Sequence, residues 1–383
     1  MRSPPRWSPE VRAAWLVLLR TCQLARGGEE SRPATGLRDS MDPTRVFEGV
    51  GSLLASSGPD SREVARHDPE NERRCCDFHD RFEYPTAGPN PDAEGGGDAH
   101  TAAEAEAGVD VAWSRSVAEE WLAWSPASGW RLAGHLPDEA RALLDLYLPL
   151  LPRHPQATLT LGHLGQSLDG YIATDRGESC FVTGPANIIH LHCLRALSDA
   201  VLVGAETIAA DNPRLTTRLV PGPSPWRVIL DPRRRLPLNR HVFQDGAAPT
   251  LLVHAEGLEA PERWGQAELL AVPVREGRLQ LDALVAALHQ RGLHRLFIEG
   301  GGLTVSSFLA AGLLDRLQVT VAPLLIGGGR RGLSLPAFPA LGDCLRPPCR
   351  VFRMGGDILF DCQPDAAGWD GVEATWPTLA RIR

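Results

Sequence analysis

Lysine is absent from this 383-residue chain, in which all 39 basic residues are arginine. A Schiff-base lysine is therefore excluded, and any anion site must use arginine, backbone amides or hydroxyl groups. Long hydrophobic runs are also missing, since none approaches the roughly 18 apolar residues of a membrane-spanning helix. The run WLVLL at 15–19 is too short and too closely flanked by arginine to be a signal sequence. The net charge of −8 argues against a general nucleic-acid binder.

The eight cysteines form no CxxC pair and no spacing typical of a disulfide framework. This pattern predicts reduced thiols in a cytoplasmic protein. In CCDFH at 75–79, two adjacent cysteines and one histidine do not make a closed tetrahedral zinc site. HAE at 254–256 is similar to the start of a zinc deaminase motif, but the downstream PCxxC of that chemistry is missing. We therefore predict no metal site.

The distribution of apolar residues divides the chain into segments. Ser8 as N-cap and the apolar spacing that follows predict a helix over 8–24. The stretch rich in Gly, Pro, Ser, Asp and Glu after it is typical of a linker, and Met41 is an alternative start. We predict an N-terminal helix at 1–25, a linker or disordered segment at 26–110, a small helical extension at 111–155, a main domain at 156–364 and a tail at 365–383.

The main domain alternates short apolar strands with helices. The strands are predicted at TLTLGHL, DAVLVG, WRVILD, TLLVHA and HRLFIEG, and Leu281, Leu284, Val285 and Leu288 form a helical stripe before the last of them. RLQVTVAPLLIG and DILFDC have no helix between them, which favours antiparallel additions at the sheet edge. The sequence thus predicts a doubly wound α/β fold with a mostly parallel sheet and an antiparallel C-terminal strand.

Three loops follow predicted strands, where ligands bind in such sheets. In FIEGGGLTVSS, glycines precede a helix that begins near Thr304, which suits a phosphate at the helix N-terminus or a simple tight turn. After DAVLVG, Thr207, Asp211 and Arg218 suit a sugar phosphate, or else a helix cap and a surface turn. The third loop, SLDGYIATDRGES, presents Ser179.

In sequence order, these motifs resemble the reductase domain of riboflavin biosynthesis, over nearly all of the main domain. The resemblance rests on SLDG, GES, VTGP, LRA, DAVLVG, LTTR, RVILD, IEGGG and AGLLD. It implies a fold similar to dihydrofolate reductase. Bifunctional members also carry a zinc deaminase domain, whose motifs residues 1–155 lack, so we expect reduction without deamination. His163 stands where the family often has lysine, which leaves the role of that lysine open.

The resemblance implies an NADPH-dependent oxidoreductase that acts on 5-amino-6-(5-phosphoribosylamino)uracil and converts its ribosyl chain to ribityl. Hydride would reach C1′ of the opened sugar, so the protein's task is alignment and electrostatic support. One alternative is a reductase for the diamino-pyrimidinone precursor or another pteridine-like ring. A second is a non-catalytic nucleotide-binding homologue. The expected partner is a small phosphorylated pyrimidine, without nucleic acid or membrane, and relatives commonly form homodimers.

The family's site residues can be transferred by motif, as what the resemblance implies. The substrate contacts fall on Ser179, Arg195, Leu215, Arg218 and Glu299, of which the serine and both arginines would hold the 5′-phosphate. The cofactor contacts fall on Gly165, Phe181, Thr207, Asp211, Gly301, Gly302, Leu303, Thr304, Val305, Ser306 and Ser307, the last seven through amides at the pyrophosphate. Asp169 and Glu299 are the catalytic candidates: Asp169 for proton transfer as a hypothesis, and Glu299 facing the substrate's polar groups.

Overall fold

The computed structural model describes residues 7–25, 122–125, 129–132, 136–151, 156–180, 182–258, 261 and 263–364. The described residues up to Ala157 belong to one compact unit, and those from Thr158 onward belong to another. The CCDFH sequence, most of the predicted linker and the predicted tail lie outside the described residues. None of the described helices is long and apolar enough to cross a membrane.

The described residues of the first unit form two helices, a hairpin and a 3₁₀ turn. Helix α1 (Pro9–Ala25) confirms the helix predicted over 8–24, and the Ser8 hydroxyl accepts the Val11 amide at 3.4 Å. The other elements are β1 (Leu122–Ser125), β2 (Gly129–Leu132), α2 (Asp138–Tyr147) and a 3₁₀ turn (Leu148–Leu150). The extension predicted to be helical therefore also contains an antiparallel hairpin. Its four-residue strands are too short to establish a period in the sequence.

The second unit is built on a ten-stranded sheet. Its strands are β3 (Leu159–Ser167), β5 (Ala200–Gly204), β6 (Trp226–Leu230), β7 (Thr250–Ala255), β8 (Arg263–Trp264), β9 (Ala267–Val272), β12 (Arg295–Glu299), β13 (Arg316–Ala322), β15 (Cys349–Met354) and β16 (Asp357–Cys362). Two further pairs lie beside it: β4 (Tyr171–Ala173) with β14 (Arg330–Arg331), and β10 (Val274–Arg275) with β11 (Arg278–Leu279). The helices are α3 (Pro185–Leu197), α4 (Ala205–Asp211), α5 (His241–Gln244), α6 (Leu281–Gln290) and α7 (Gly302–Ala310), followed by a 3₁₀ turn (Leu341–Asp343).

The strand order in this sheet is β15-β16-β13-β3-β12-β5-β6-β7-β9-β8. Neighbours from β13 to β9 are parallel, whereas β15, β16 and β8 pair antiparallel at the two edges. The predicted α/β fold with a mostly parallel sheet and an antiparallel C-terminal strand is therefore confirmed. One detail was wrong: β13 is parallel to β3, because α7 provides the crossover before it. The sequence reading also missed β9 and β15.

Consecutive residues of β3 show that helices cover both faces of the sheet. A Cβ at Gly162 would lie 3.2 Å from Val305 of α7, whereas His163 meets Asn187 of α3. Successive side chains of a strand point to opposite faces, so α7 and α3 pack on opposite sides. Apolar residues of α6 and α7, such as Leu284 and Phe308, form the core on one face.

Buried polar side chains connect α3 to the other face. His163 Nε2 lies 3.0 Å from Asn187 Oδ1, and His190 Nε2 lies 2.8 Å from Gln318 Oε1. Burial lowers the pKa of His163 to about 4 and that of His190 to about 3. Both imidazoles are therefore neutral near pH 7, and His163 does not replace the charge of a lysine. His190 and His192, two residues apart on α3, are both buried.

The prediction that the cysteines are reduced is wrong for three of them, whereas three other described cysteines are not disulfide-bonded, as predicted. Cys349 of β15 and Cys362 of β16 stand directly opposite each other and form a disulfide. Cys180 is disulfide-bonded as well. A spacing rule cannot find the first bond, because the pairing register of two edge strands, and not a motif, brings the two sulfur atoms together.

We predict that the unfolding free energy falls as the pH drops from 7.5 to 5.0, on account of His163 and His190. The unfolded chain binds protons below a pKa of about 6.5, whereas the folded state does not until about pH 4 or 3. Stability is therefore full above pH 6.5 and falls by roughly 2 kcal/mol per histidine by pH 5. Urea unfolding at both pH values measures it. The double variant His163→Gln/His190→Gln should lose most of the dependence, and an unchanged slope would contradict the assignment.

Candidate functional site

Three parallel strands deliver the predicted site residues to one edge of the sheet. Strands β3, β12 and β5 are neighbours and parallel, so the loops that follow them meet at the carboxyl edge. The residues carried over by resemblance sit in or beside these loops, with the exception of Arg195 near the end of α3. Phe181, one of the predicted cofactor contacts, lies outside the described residues.

The turn after β12 brings several predicted cofactor residues together. Gly300 and Gly301 have φ values of 74° and 39°, a region that favours glycine, and α7 begins at the next residue. A Cβ at Gly301 would lie 3.2 Å from Thr207 Oγ1, and one at Gly204 would lie 2.8 Å from Thr304 Oγ1. Two threonine hydroxyls therefore flank a turn whose glycines have no side chains to cover the backbone.

Helix α7 offers amide donors at this turn. The amides of Thr304 and Val305 bond to the Gly301 carbonyl. Those of Gly302 and Leu303 have no acceptor among the described residues. The first turn of a helix attracts anions through such amides and through the helix dipole. The arrangement fits the pyrophosphate of a dinucleotide.

The second half of the predicted cofactor run turns away from this edge. Val305 is fully buried in the core, and Ser306 Oγ accepts the Ser334 amide at 2.9 Å. Ser307 Oγ donates to the Leu303 carbonyl within the helix. These three side chains are thus engaged within the protein. Any contact of Val305, Ser306 and Ser307 with the cofactor through their amides stays a prediction, whereas the amides of Gly302 and Leu303 are the ones without an acceptor among the described residues.

Gly165 has a packing explanation in addition to its predicted cofactor contact. A Cβ there would lie 2.6 Å from Thr183 Cγ2 and 3.3 Å from Asn187 Nδ2. Glycine therefore lets the start of α3 approach β3 closely.

A predicted substrate residue and a predicted cofactor residue are in direct contact. Ser179 Oγ donates to Asp211 Oδ1 at 3.3 Å, and Asp211 is the last residue of α4. Burial raises the pKa of Asp211, against the opposing effects of the Ser179 hydrogen bond and the nearby Arg330 charge. The two proposed subsites therefore adjoin, as transfer of a hydride between two bound molecules requires.

Arg195 and Glu299 form a buried ion pair. Arg195 donates from Nε at 2.8 Å and from Nη2 at 2.5 Å to the two carboxylate oxygens, and only 5% and 11% of the two side chains are exposed. Its Nη1 donates to the Thr216 carbonyl at 3.0 Å. All three nitrogens of Arg195 are thus engaged by protein. One N–H donor remains on each Nη nitrogen. The structure therefore adds a positioning role for Arg195, and its grip on a phosphate stays a prediction.

The loop after α4 carries the two other predicted substrate contacts. Leu215 has a φ of 57°, which is strained for a leucine, and the whole residue is only 1% exposed. The predicted substrate contact of Leu215 therefore has almost no accessible surface in this structure. Arg218 donates from Nη1 to Thr216 Oγ1 at 2.8 Å, and its amide donates to His192 Nδ1 at 2.9 Å. Thr216 thus connects Arg218 to the Arg195–Glu299 pair.

Asp169 does not support the hypothesis of proton transfer. Its carboxylate accepts the Ser167 hydroxyl at 2.5 Å and the amides of Ile326 and Gly327 at 3.1 and 2.7 Å. The bonds from Ser167 and Gly327 are the main causes that lower its pKa to about 2. So acidic a group cannot carry a proton near pH 7. Asp169 instead anchors the chain segment that begins at Ile326.

The sequence reading assigned no structural role to that segment. Residues 327–332, GGGRRG, run beside β4 and over the start of α7, and we call them the glycine strap. A Cβ at Gly302 would lie 1.9 Å from the Gly332 carbonyl oxygen. The three successive glycines were the available signal, because such a run indicates close backbone approach.

Comparison with known proteins places this geometry in context. The model of the RibD C-terminal domain matches residues 161–349. A reductase of Methanothermobacter thermautotrophicus, named for 2,5-diamino-6-ribosylamino-4(3H)-pyrimidinone 5′-phosphate, is 35% identical over 51% of this chain and 93% of its own length. The riboflavin biosynthesis protein RibD of Aquifex aeolicus is 34% identical over 51% of this chain but only 54% of its own. A deaminase/reductase crystal structure from Thermotoga maritima is 25% identical over 61% of this chain and 63% of its own, with a TM-score of 0.47.

We predict that Arg195→Met lowers the unfolding free energy by about 3–5 kcal/mol, because it leaves the Glu299 carboxylate buried and unpaired. Urea unfolding at pH 7.5 measures the loss. Arg291→Ala is the matched control, since the Arg291–Glu268 pair is 3.4 Å long and 41% exposed on both sides, and it should cost less than about 1 kcal/mol. The double variant Arg195→Met/Glu299→Leu should lose less than Arg195→Met. Equal losses in Arg195→Met and the control would disprove the importance of the pair.

Proposed function

The chain belongs to the family of the RibD C-terminal domain, and on this premise we propose that it is an NADPH-dependent reductase of a ribosylaminopyrimidine 5′-phosphate. The product is the corresponding ribitylamino compound. The observation that carries this proposal is the contact between Ser179 and Asp211, which joins the substrate loop to the cofactor loop. Hydride transfer requires that the substrate site and the cofactor site adjoin. A protein that only binds a nucleotide has no need of such a shared boundary.

The proposed cofactor site is the turn after β12. Gly301 and Gly302 leave the backbone bare, the amides of Gly302 and Leu303 are available, and Thr207 and Thr304 flank the turn. These residues fit a dinucleotide pyrophosphate through amide and hydroxyl donors, without lysine. When bound there, NADPH would supply the hydride for C1′ of the opened sugar. We also propose that the protein prefers NADPH to NADH.

The chain's own residues would position the substrate. Ser179 and Arg218 would contact the 5′-phosphate, and the Glu299 carboxylate would accept hydrogen bonds from polar groups of the substrate. Arg195 holds that carboxylate with two hydrogen bonds, so its orientation is set before a ligand binds. Preorganised polar groups assist catalysis because they need no rearrangement during the reaction.

A second candidate substrate is the diamino-pyrimidinone, which carries a ring amino group where the uracil has a carbonyl oxygen. The archaeal relative is named for that compound, and the chain aligns with nearly its whole length. The bifunctional protein of Thermotoga maritima is named as a 5-amino-6-(5-phosphoribosylamino)uracil reductase. We keep the uracil as the proposed substrate. Cytoplasmic location and a homodimer remain predictions.

We predict that the purified protein oxidises NADPH in the presence of the uracil substrate, with a product two hydrogens heavier. Absorbance at the nicotinamide band and mass spectrometry of the product measure this. Ser179→Ala and Arg218→Ala should raise KM by tenfold or more, since charged hydrogen bonds to phosphate contribute about 1.5–3 kcal/mol. Arg275→Ala, on the exposed strand β10, is the control and should leave KM unchanged.

The same assay with the diamino-pyrimidinone decides between the two substrates. If the diamino-pyrimidinone is turned over faster than the uracil, the diamino-pyrimidinone is the substrate. Absence of turnover with either compound, in a protein that still binds NADPH, would favour the non-catalytic homologue and contradict the proposal.

A further inference from the structure

The glycine strap is held on both sides by backbone contacts, and at Gly329 and Gly332 these leave no room for a side chain. The Gly332 amide donates to the Gly170 carbonyl at 2.9 Å, and Gly327 donates to Asp169. A Cβ at Gly329 would lie 2.0 Å from the Ala173 carbonyl oxygen. The strap therefore has a fixed backbone at the site, and the residue that follows Gly329 is presented in a defined position.

That residue, Arg330, directs its guanidinium toward the subsite boundary. It is exposed, and a Cβ at Gly177 would lie 3.7 Å from its Nη2. Its charge acts on Asp211, the partner of Ser179. Among the described residues, no ion pair within 4.0 Å involves Arg330. An arginine thus lies against the loop of Gly177, which presents Ser179, and its charge acts on Asp211 without an ion pair between them.

The charges at the proposed phosphate site favour a further cation, which Arg330 would supply. A sugar phosphate is a dianion near pH 7, and Arg195, the expected second cation, is occupied by Glu299. Arg218 remains, but Ser179 adjoins a carboxylate, which repels a phosphate. A cation between that carboxylate and the phosphate removes the repulsion, and the planar guanidinium can bond to both.

We propose that Arg330 binds the 5′-phosphate of the substrate, as a further cationic contact beside Ser179 and Asp211. This inference rests on the proposed function, because that function supplies the sugar phosphate. The cofactor's phosphates are the other source of the same chemistry, since the strap also crosses the start of α7. We assign Arg330 to the substrate because its side chain lies beside Gly177, in the loop that presents Ser179.

Arg330→Ala tests the proposal, and Arg331→Ala is the matched control. Arg331 is the adjacent strap residue, and its guanidinium lies over the Tyr171 ring at 5.4 Å from the ring centroid. Calorimetric titration of each variant with ribose 5-phosphate, D-ribose and NADPH compares the ligands without requiring turnover. We expect Arg330→Ala to weaken ribose 5-phosphate binding by about tenfold or more. D-ribose and NADPH binding should not change, and Arg331→Ala should match the wild type with all three ligands.

Two results would overturn the assignment. Equal ribose 5-phosphate affinity in Arg330→Ala and Arg331→Ala would exclude the contact, and selective loss of NADPH affinity in Arg330→Ala would assign the arginine to the cofactor. Because Arg330 is exposed, its removal should leave the thermal unfolding midpoint unchanged, which a melting curve checks.

The proposed reaction and the proposed Arg330 contact can be disproved separately. A protein that reduces neither pyrimidine but loses ribose 5-phosphate binding in Arg330→Ala would retain the site without the reaction. A protein that turns over the uracil with the same KM in both strap variants would retain the reaction without this contact.

Discussion

The ion pair between Arg195 and Glu299 is the interaction on which the rest of the candidate site depends. Removing both charges from water is costly, and only good geometry offsets that cost. Here two carboxylate oxygens meet two guanidinium nitrogens, and the third nitrogen bonds to the Thr216 carbonyl. The pair thereby fixes α3, the last residue of β12 and the strained loop around Leu215. The glycine turn starts one residue after Glu299, so its position follows from the same contact.

The alternation of side chains along β3 and β12 separates two tasks. Gly162 and Ile298 face the apolar core with α7, while His163 and Glu299 face α3. One face therefore supplies hydrophobic stabilisation, and the other carries buried polar contacts. Together they limit the conformations available to the carboxyl edge of the sheet, where the candidate site lies. Because His163 is neutral and bonded within the protein, the positive charge at the site comes from the loops and not from β3.

The sequence predicted the parts of this structure that depend on local pattern. Apolar runs located five central strands, and the glycines of IEGGG located the turn before α7, whose helix begins two residues earlier than expected. Contacts between distant residues could not be predicted. Arg195 and Glu299 are 104 positions apart, and Asp169 bonds to amides 157 and 158 positions away. From the sequence alone, an aspartate in a turn such as Asp169 resembles a catalytic acid, because the amides that it accepts are far away in the chain.

The absence of lysine has a physical consequence at the site. Arginine has five donors in a fixed plane, so one residue can hold a carboxylate with two bonds and a carbonyl with a third, as Arg195 does. A lysine there would provide a single charged centre and could not fix the carboxylate plane. The same fork would allow Arg330 to bridge Asp211 and a phosphate. A chain that uses only arginine can therefore place one cation in a structural pair and still offer others to an anionic ligand.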